Sequence, residues 1–267
     1  MLDRCKVAKH GDNSKHIWQC IHLTNTGYTQ SGPLFRAKTR ALEKLLIKAL
    51  NPLSVNLTCI YPTGPVQLRP SNIPGYTPSD DNDDDGPELL DSFAWFLRDN
   101  TATRYNHFPK GMSAIATAIR EAGGIDGIVG FSQGGAVAAL VAAAMEEPRR
   151  QPPEAEAEWV EHLRASNGGK PLGFAVVYSG FFAPVPELEW CYEPKIQTPT
   201  LHYLGGLDTV VEEKRSKGLV ERCNEPMEIV HPGGHFVPIS KEWTMPIIAF
   251  IRKYVESTKQ DDVQVKA

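Results

Sequence analysis

The fold this sequence predicts is α/β: a mostly parallel central sheet with helices on both faces and an irregular, lid-like insertion. Three observations predict it. Short apolar runs alternate with longer segments of helical periodicity. The stretch DGIVGFSQGGAVAALVAAA, Asp126 to Ala144, wedges a serine between glycines where an apolar run passes into an alanine-rich segment. An aspartate and a histidine then follow, each just past another strand candidate.

Taken in order, the strand candidates are Val55–Tyr61, Ile125–Gly130, Gly173–Ser179, Thr200–Leu204 and Met227–Val230, each ending near Gly, Pro or a polar residue. Helical spacing is kept by Leu34, Ala37, Ala41, Leu45 and Ala49, and again by Ile115, Ile119 and Ala122. Ile247, Phe250, Ile251 and Tyr254 repeat it after Pro246, a suitable first residue of a helix. Ahead of all these, IWQCIHLTN must supply a strand, although Gln19, His22, Thr24 and Asn25 are polar for the centre of a parallel sheet.

The expected organisation is a single domain over residues 1–267, with a core at about 17–257 and a divergent N-terminal stretch, 1–25. Residues 62–109, rich in Pro, Gly and Asp, form the lid-like segment. Residues 146–171 suggest a surface insertion with one short helix, and the polar tail 258–267 is expected to fray.

Composition narrows the function. With 41% hydrophobic and 22% charged residues, the chain suits a soluble globular protein with a sizeable core. A net charge of −4, with clustered bases only at Arg149 and Arg150, gives no nucleic-acid footprint. Five scattered cysteines without a C-x-x-C argue against a disulfide framework or zinc site and fit a reducing compartment. The charged N-terminus lacks a signal-like apolar region, and the longest apolar stretch, Ala136 to Met145, is too short to span a bilayer. The expected location is the cytoplasm.

Gly130-Phe131-Ser132-Gln133-Gly134 matches G-x-S-x-G. On composition alone about 0.1 such matches would arise by chance in a chain of this length. The strand–turn–helix context raises the signal, because a nucleophile on so sharp a turn needs neighbours without side chains. A serine hydroxyl attacks only with a base, and the base needs an orienting acid. Asp208 in PTLHYLGGLDTVV and His235 in MEIVHPGGHFVP stand in the required order, with Gly233 and Gly234 freeing the backbone that aims the imidazole. An oxyanion hole needs two backbone N–H groups. The amide of Gln133 is one candidate, and that of Tyr28, in the loop NTGYTQSGP, is the other.

Other readings compete at each position. The serine turn can be a plain strand–helix bend, and Asp208 can be the N-cap of a helix beginning at TVVEEK. His231 lies four residues from His235, but Pro232-Gly233-Gly234 forbids the helical face of a zinc pair. His202, inside a strand, suits a buried and satisfied side chain. Asp81, Asp83, Asp85 and Gly86 open with the spacing of an EF-hand calcium loop, but Pro87 and Ser92 break it, leaving a solvated acidic loop. The aromatics Phe93, Trp95, Phe96, Phe181 and Phe182 can wall an acyl pocket or serve only as core.

The segments GYTQSGPLFRAKTRALEKLL, YPTGPVQLRP, DGIVGFSQGGAVAALVAA, VVYSGF, TPTLHYLGGLDTVV and HPGGHFVP follow the order seen in the FSH family of serine hydrolases. These are small α/β-hydrolase proteins related to the ovarian-cancer-gene-two product, and the chain most resembles their filamentous-fungal branch. The resemblance runs from about Gly27 to about Tyr254. It implies an α/β-hydrolase fold with Ser132 as nucleophile, Asp208 as acid and His235 as base. It also implies hydrolysis of carboxylic esters or thioesters without a metal or organic cofactor. In some fungal members it implies release of a polyketide acyl chain from an acyl carrier protein. One departure precedes Tyr28: the family reads Leu-His-Gly-Tyr, whereas this chain reads Asn25-Thr26-Gly27-Tyr28, with Thr26 in the histidine's place. Two alternatives stand beside hydrolysis, a catalytically impaired binding protein on the same scaffold and an acyltransferase using the same three residues.

Overall fold

The computed structural model describes residues 16–23, 30–53, 55–69, 72, 92–99 and 104–264. In chain order the elements begin with β1 (His16–Leu23), α1 (Gly32–Leu50) and β2 (Val55–Ile60). Four two-residue strands follow, β3 (Val66–Gln67), β4 (Phe93–Ala94), β5 (Leu97–Arg98) and β6 (Tyr105–Asn106). Next come α2 (Phe108–Ala122), β7 (Gly127–Phe131), α3 (Gln133–Ala144), α4 (Ala157–Ser166) and β8 (Phe174–Tyr178). The chain closes with β9 (Thr200–Gly205), α5 (Glu213–Val220), β10 (Met227–His231) and α6 (Lys241–Gln264).

Among the described residues the central sheet has six strands in the order β2-β1-β7-β8-β9-β10. Every pairing in it is parallel. Helices cover both faces, so the middle strands read as unbroken apolar runs: GIVGF in β7 and FAVVY in β8 are buried at every residue. The stretch IWQCIHLTN does supply a strand, and β1 sits between β2 and β7. Register brings the strand ends to one edge: Leu23 pairs with Gly130, Phe131 with Tyr178, Tyr178 with Tyr203 and His231 with Gly205.

One core layer lies between the sheet and α1 with α6, built on Phe35, Leu42, Leu46, Tyr178, Tyr203 and Ile251. The other lies under α2, α3 and α4, with Met112, Ile115, Leu140, Trp159 and Leu163. Full burial of one such side chain contributes about 1.5–3 kcal/mol. In α3 every residue from Gly134 to Ala144 is buried, so the helix has no polar face. Its alanines let neighbours approach on all sides.

Several expectations are corrected here. The buried stripe of α1 is Phe35, Leu42, Leu46 and Leu50, while Leu34 is 39% exposed and Ala37 and Ala41 are exposed. Both sets keep helical spacing, and the set with the bulkier side chains removes more apolar area from water. Helix α6 starts at Lys241, with Pro246 inside it, rather than at Pro246. Proline so near the start forfeits one backbone bond, and the burial of Ile247, Phe250, Ile251 and Val255 outweighs it. Helix α6 runs on through the polar residues after 257, to Gln264.

Residues 146–171 carry one short α-helix, α4, as expected, and that helix also contributes to the core. Trp159, Val160 and Leu163 of α4 are buried in the core against α2. Four of the segment's charges, Glu146, Arg150, Glu156 and Arg164, are themselves buried, while Glu147, Arg149, Glu154, Glu158, Glu161 and Lys170 are exposed. Arg150 donates to Glu146 Oε2 at 2.7 Å and to the Lys195 carbonyl at 2.9 Å, and Arg164 donates to the Ala144 and Arg150 carbonyls at 2.8 Å. The acidic positions Asp81, Asp83 and Asp85 lie outside the described residues.

Candidate active site

Ser132 occupies the single residue between β7 and α3, with φ 55° and ψ −119°. A side chain held in that region costs about 1–3 kcal/mol, which the surrounding structure must impose. It does so by close backbone packing. A Cβ on Gly130 would lie 2.1 Å from the Gly134 carbonyl oxygen, so the turn closes only with glycine there. A Cβ on Gly135 would lie 2.9 Å from Gly180 Cα, which fixes the start of α3 against the exit of β8. The Ser132 amide donates to the Tyr178 carbonyl at 2.8 Å.

The partner side chains arrive from the same edge. Asp208 follows β9 and His235 follows β10, and the two loops are tied together: Gly206 N–H donates to the His231 carbonyl at 2.8 Å and Leu207 N–H to the Gly233 carbonyl at 3.0 Å. Neither Gly233 nor Gly234, expected to free the backbone that aims the imidazole, has a positive φ. The close approach is made instead at Gly205, where a Cβ would stand 2.4 Å from the Gly234 oxygen.

The three side chains form one line. His235 Nε2 is 3.0 Å from Ser132 Oγ, and His235 Nδ1 is 2.7 Å from Asp208 Oδ2. The other carboxylate oxygen, Oδ1, accepts the Val210 and Val211 amides, both at 2.9 Å, which points Oδ2 at the imidazole. Helix α5 begins only at Glu213, so Asp208 caps a turn rather than a helix. Burial works to raise the Asp208 carboxyl, but the bond from His235, the two amides and the His235 charge outweigh it and hold it below the usual carboxylate range. The ring of Phe131 packs on the imidazole at 4.7 Å between centroids. Chemically, the line suits proton transfer from a hydroxyl through an oriented imidazole.

Gln133 is the first residue of α3, so its amide lies at the helix N-terminus, where developing negative charge is favoured. Its side chain has a role that sequence reasoning missed. Oε1 accepts the Trp95 amide at 2.8 Å and Nε2 donates to the Phe96 carbonyl at 2.9 Å. No local pattern announces this, because the contact joins residues far apart in the chain. Tyr28 lies outside the described residues.

The aromatics expected around an acyl pocket are placed differently. Trp95 and Phe96 are 1% and 2% exposed and belong to the core beneath α2, while Phe93 is half-buried. Phe181 lies under the Arg215 guanidinium at 4.3 Å and Phe182 under that of Arg222 at 3.5 Å. As the largest apolar side chains nearby, they are drawn into packing. His231 packs on Phe236 and Trp243, apart from His235's hydrogen-bonded line. His202 is buried, as expected, but among the described residues its Nε2 finds no hydrogen-bond partner, and burial pushes the imidazole down to about 4. Among the described residues no group of three or more His, Cys, Asp or Glu side chains gathers in a way that suits a metal ion. No helix among them is long and apolar enough to cross a membrane.

A family model described as serine hydrolase (FSH1) matches residues 20–247. A fission-yeast (Schizosaccharomyces pombe) protein named dihydrofolate reductase is 33% identical over 228 residues, covering 82% of this chain but 43% of its own length. The chain likewise spans 49% of an uncharacterized hydrolase from the same yeast. The zebrafish (Danio rerio) esterase OVCA2 is 28% identical over 245 residues, covering 88% of this chain and 96% of that protein. Among solved structures, maize (Zea mays) acyl-protein thioesterase 2 superposes with a TM-score of 0.55 at 19% identity, over 90% of this chain and 95% of that one. At that identity the likeness concerns the fold, which is the α/β-hydrolase fold.

Proposed function

The chain belongs to the serine hydrolase (FSH1) family, and from that membership we propose that it is a serine esterase or thioesterase working through an acyl-enzyme on Ser132. The observation that carries this reading is the unbroken line from Ser132 Oγ through His235 to Asp208, at 3.0 and 2.7 Å. In it, His235 Nε2 takes the hydroxyl proton as Ser132 Oγ bonds to the acyl carbon. Asp208 holds Nδ1 and stabilises the imidazolium that forms. The Gln133 amide, with that of Tyr28 as the second donor read from the sequence, receives the oxyanion. The tetrahedral intermediate collapses, His235 returns the proton to the departing alcohol or thiol, and water cleaves the acyl-enzyme by the same steps.

The finer reading is release of a polyketide or fatty acyl chain from an acyl carrier protein. Its support is the run of motifs shared with the filamentous-fungal branch of the family. Turnover of an acylated carrier protein, set against the same acyl group on a small thiol, tests it; equal rates would remove the carrier protein from the reading.

A fluorophosphonate probe tests the enzyme itself. Wild-type protein is expected to label and to hydrolyse short esters, and Ser132→Ala to do neither. Folded wild-type protein that fails to label would overturn the proposal.

A further inference from the structure

We infer that the groove between the first turns of α1 and the end of β2 binds an anionic group of the acyl substrate, a carboxylate or phosphate, and so selects charged substrates over neutral ones. The inference rests on the esterase or thioesterase reading. Trp95, Phe96 and Phe181 are buried in the core and Phe93 and Phe182 are half-buried, so the groove offers recognition that these aromatics do not supply.

The groove has a volume of about 650 Å³, in the range that holds a small organic ligand. Its apolar lining includes Pro33, Ala37, Ile60 and Tyr61, and its charged lining is Arg36 and Arg40. Arg36 is spread over the Tyr61 ring at 5.7 Å, and its contacts with Glu43 are long, at 3.4 Å. Arg40 is exposed and has no carboxylate partner among the described residues. Two guanidinium groups beside an apolar wall, on a chain whose net charge is −4, match an amphipathic anion. Cys59, which also lines the groove, is not a rival nucleophile, since burial pushes its thiol up to about 12.

The two walls of the groove are held together, and packed core rings lie between the groove and His235. Gly32 N–H donates to Thr63 Oγ1 at 3.0 Å, and a Cβ on Gly32 would stand 1.9 Å from the Tyr61 oxygen, so α1 is clamped against the exit of β2. From Tyr61 a series of ring contacts leads inward, to Phe35 at 6.4 Å, to Phe131 at 6.4 Å and to His235 at 4.7 Å. Arg36, Arg40, Lys44 and Lys48 recur every fourth residue on the exposed side of α1, but only the first two line the groove. Lys48 therefore serves as the control.

Two matched pairs of substrates test the inference and separate its sources. In one, p-nitrophenyl hemiadipate is compared with p-nitrophenyl hexanoate, which places the charge on the acyl chain. In the other, hexanoyl-coenzyme A is compared with the hexanoyl thioester of N-acetylcysteamine, which places phosphate on the leaving group. Wild-type enzyme is expected to favour the charged member of at least one pair by roughly tenfold in KM. The Arg36→Gln/Arg40→Gln variant should lose that preference while keeping its rate on the neutral member, and Lys48→Gln should retain it. Binding of coenzyme A and of monomethyl adipate to Ser132→Ala protein, by calorimetry, needs no turnover. If these anions bind, and bind more weakly without the two arginines, the groove stands even where hydrolysis fails. Wild-type indifference within both pairs, or a preference that survives the double variant, would overturn it.

Discussion

Gln133 holds Trp95 by its backbone: the side-chain carbonyl accepts the Trp95 amide at 2.8 Å, while the amide group reaches the next carbonyl, at Phe96, at 2.9 Å. The residue whose main chain is proposed to bind the oxyanion is thus anchored through its own side chain. Gln133→Ala leaves a buried amide and a carbonyl without these partners and loosens the start of α3. The expected result is a fall in kcat of about 10- to 100-fold with a much smaller change in KM. Steady-state kinetics on a p-nitrophenyl ester would show it. A KM effect alone would mean that Gln133 supports binding and not the oxyanion.

Replacing Asp208 by Asn should remove the acceptor that orients the His235 ring. A loss of about 10³- to 10⁴-fold in kcat is expected, with the fold intact by circular dichroism. The pH dependence follows from the depressed carboxyl. Its folded value lies below the unfolded one, so its stabilising contribution is present above about pH 4 and is lost as pH falls through the folded value. Wild type should therefore exceed Asp208→Asn in stability at neutral pH, and the two should converge in strong acid. A difference that widens on acidification would contradict this sign.

His202 adds a dependence of the same sign in a higher pH range. Its folded value is lowered from 6.5 to about 4, so the unfolded chain binds the extra proton between those values. Stability should drop as pH falls from 6.5 toward 4, by about 3 kcal/mol from this residue. Urea midpoints of wild type and His202→Gln at pH 7 and pH 4.5 would isolate it, since the variant should lose that part of the acid sensitivity. Parallel profiles would count against a neutral buried imidazole.

The Arg150–Glu146 pair, at 2.7 Å with both side chains about 5% exposed, should be costly to halve. Arg150→Met strands a buried carboxylate that also accepts the Gln197 and Thr198 amides, and a loss of about 3–5 kcal/mol is expected. Thermal melting and denaturant titration check it. Adding Glu146→Gln should recover part of the loss, because the unpaired charge is then gone.

How far the sequence could be read differs from element to element. The strands around the active site were legible because a strand covered on both faces has no polar alternation, and runs such as AVVY are hard to house elsewhere. Helix α1 was legible as a helix but not in its facing. Apolar residues occur on more than one side of it, and only packing decides that Phe35, Leu42, Leu46 and Leu50 go inward. Residues 146–171 were legible only in part because charge in a sequence reads as exposure, whereas Arg150 and Arg164 are buried against carboxylates and backbone carbonyls. The aromatics at 93–96 and 181–182 stayed open between two readings for a related reason, since a large ring serves a pocket or a core equally well in one dimension.

By itself the sequence determined the chemistry on offer: a serine on a glycine-framed turn, and an aspartate and a histidine each stationed after a strand. Those are local facts, set by residue type, spacing and backbone sterics. Tertiary structure alone decided that Oγ, imidazole and carboxylate fall within hydrogen-bond distance across 103 and 27 residues of chain. It also decided that Gln133 grips a distant segment, and that two arginines of α1 share a groove with the end of β2. Such contacts depend on strand order and register, which are settled by the packing of the whole sheet and which no single stretch of residues encodes.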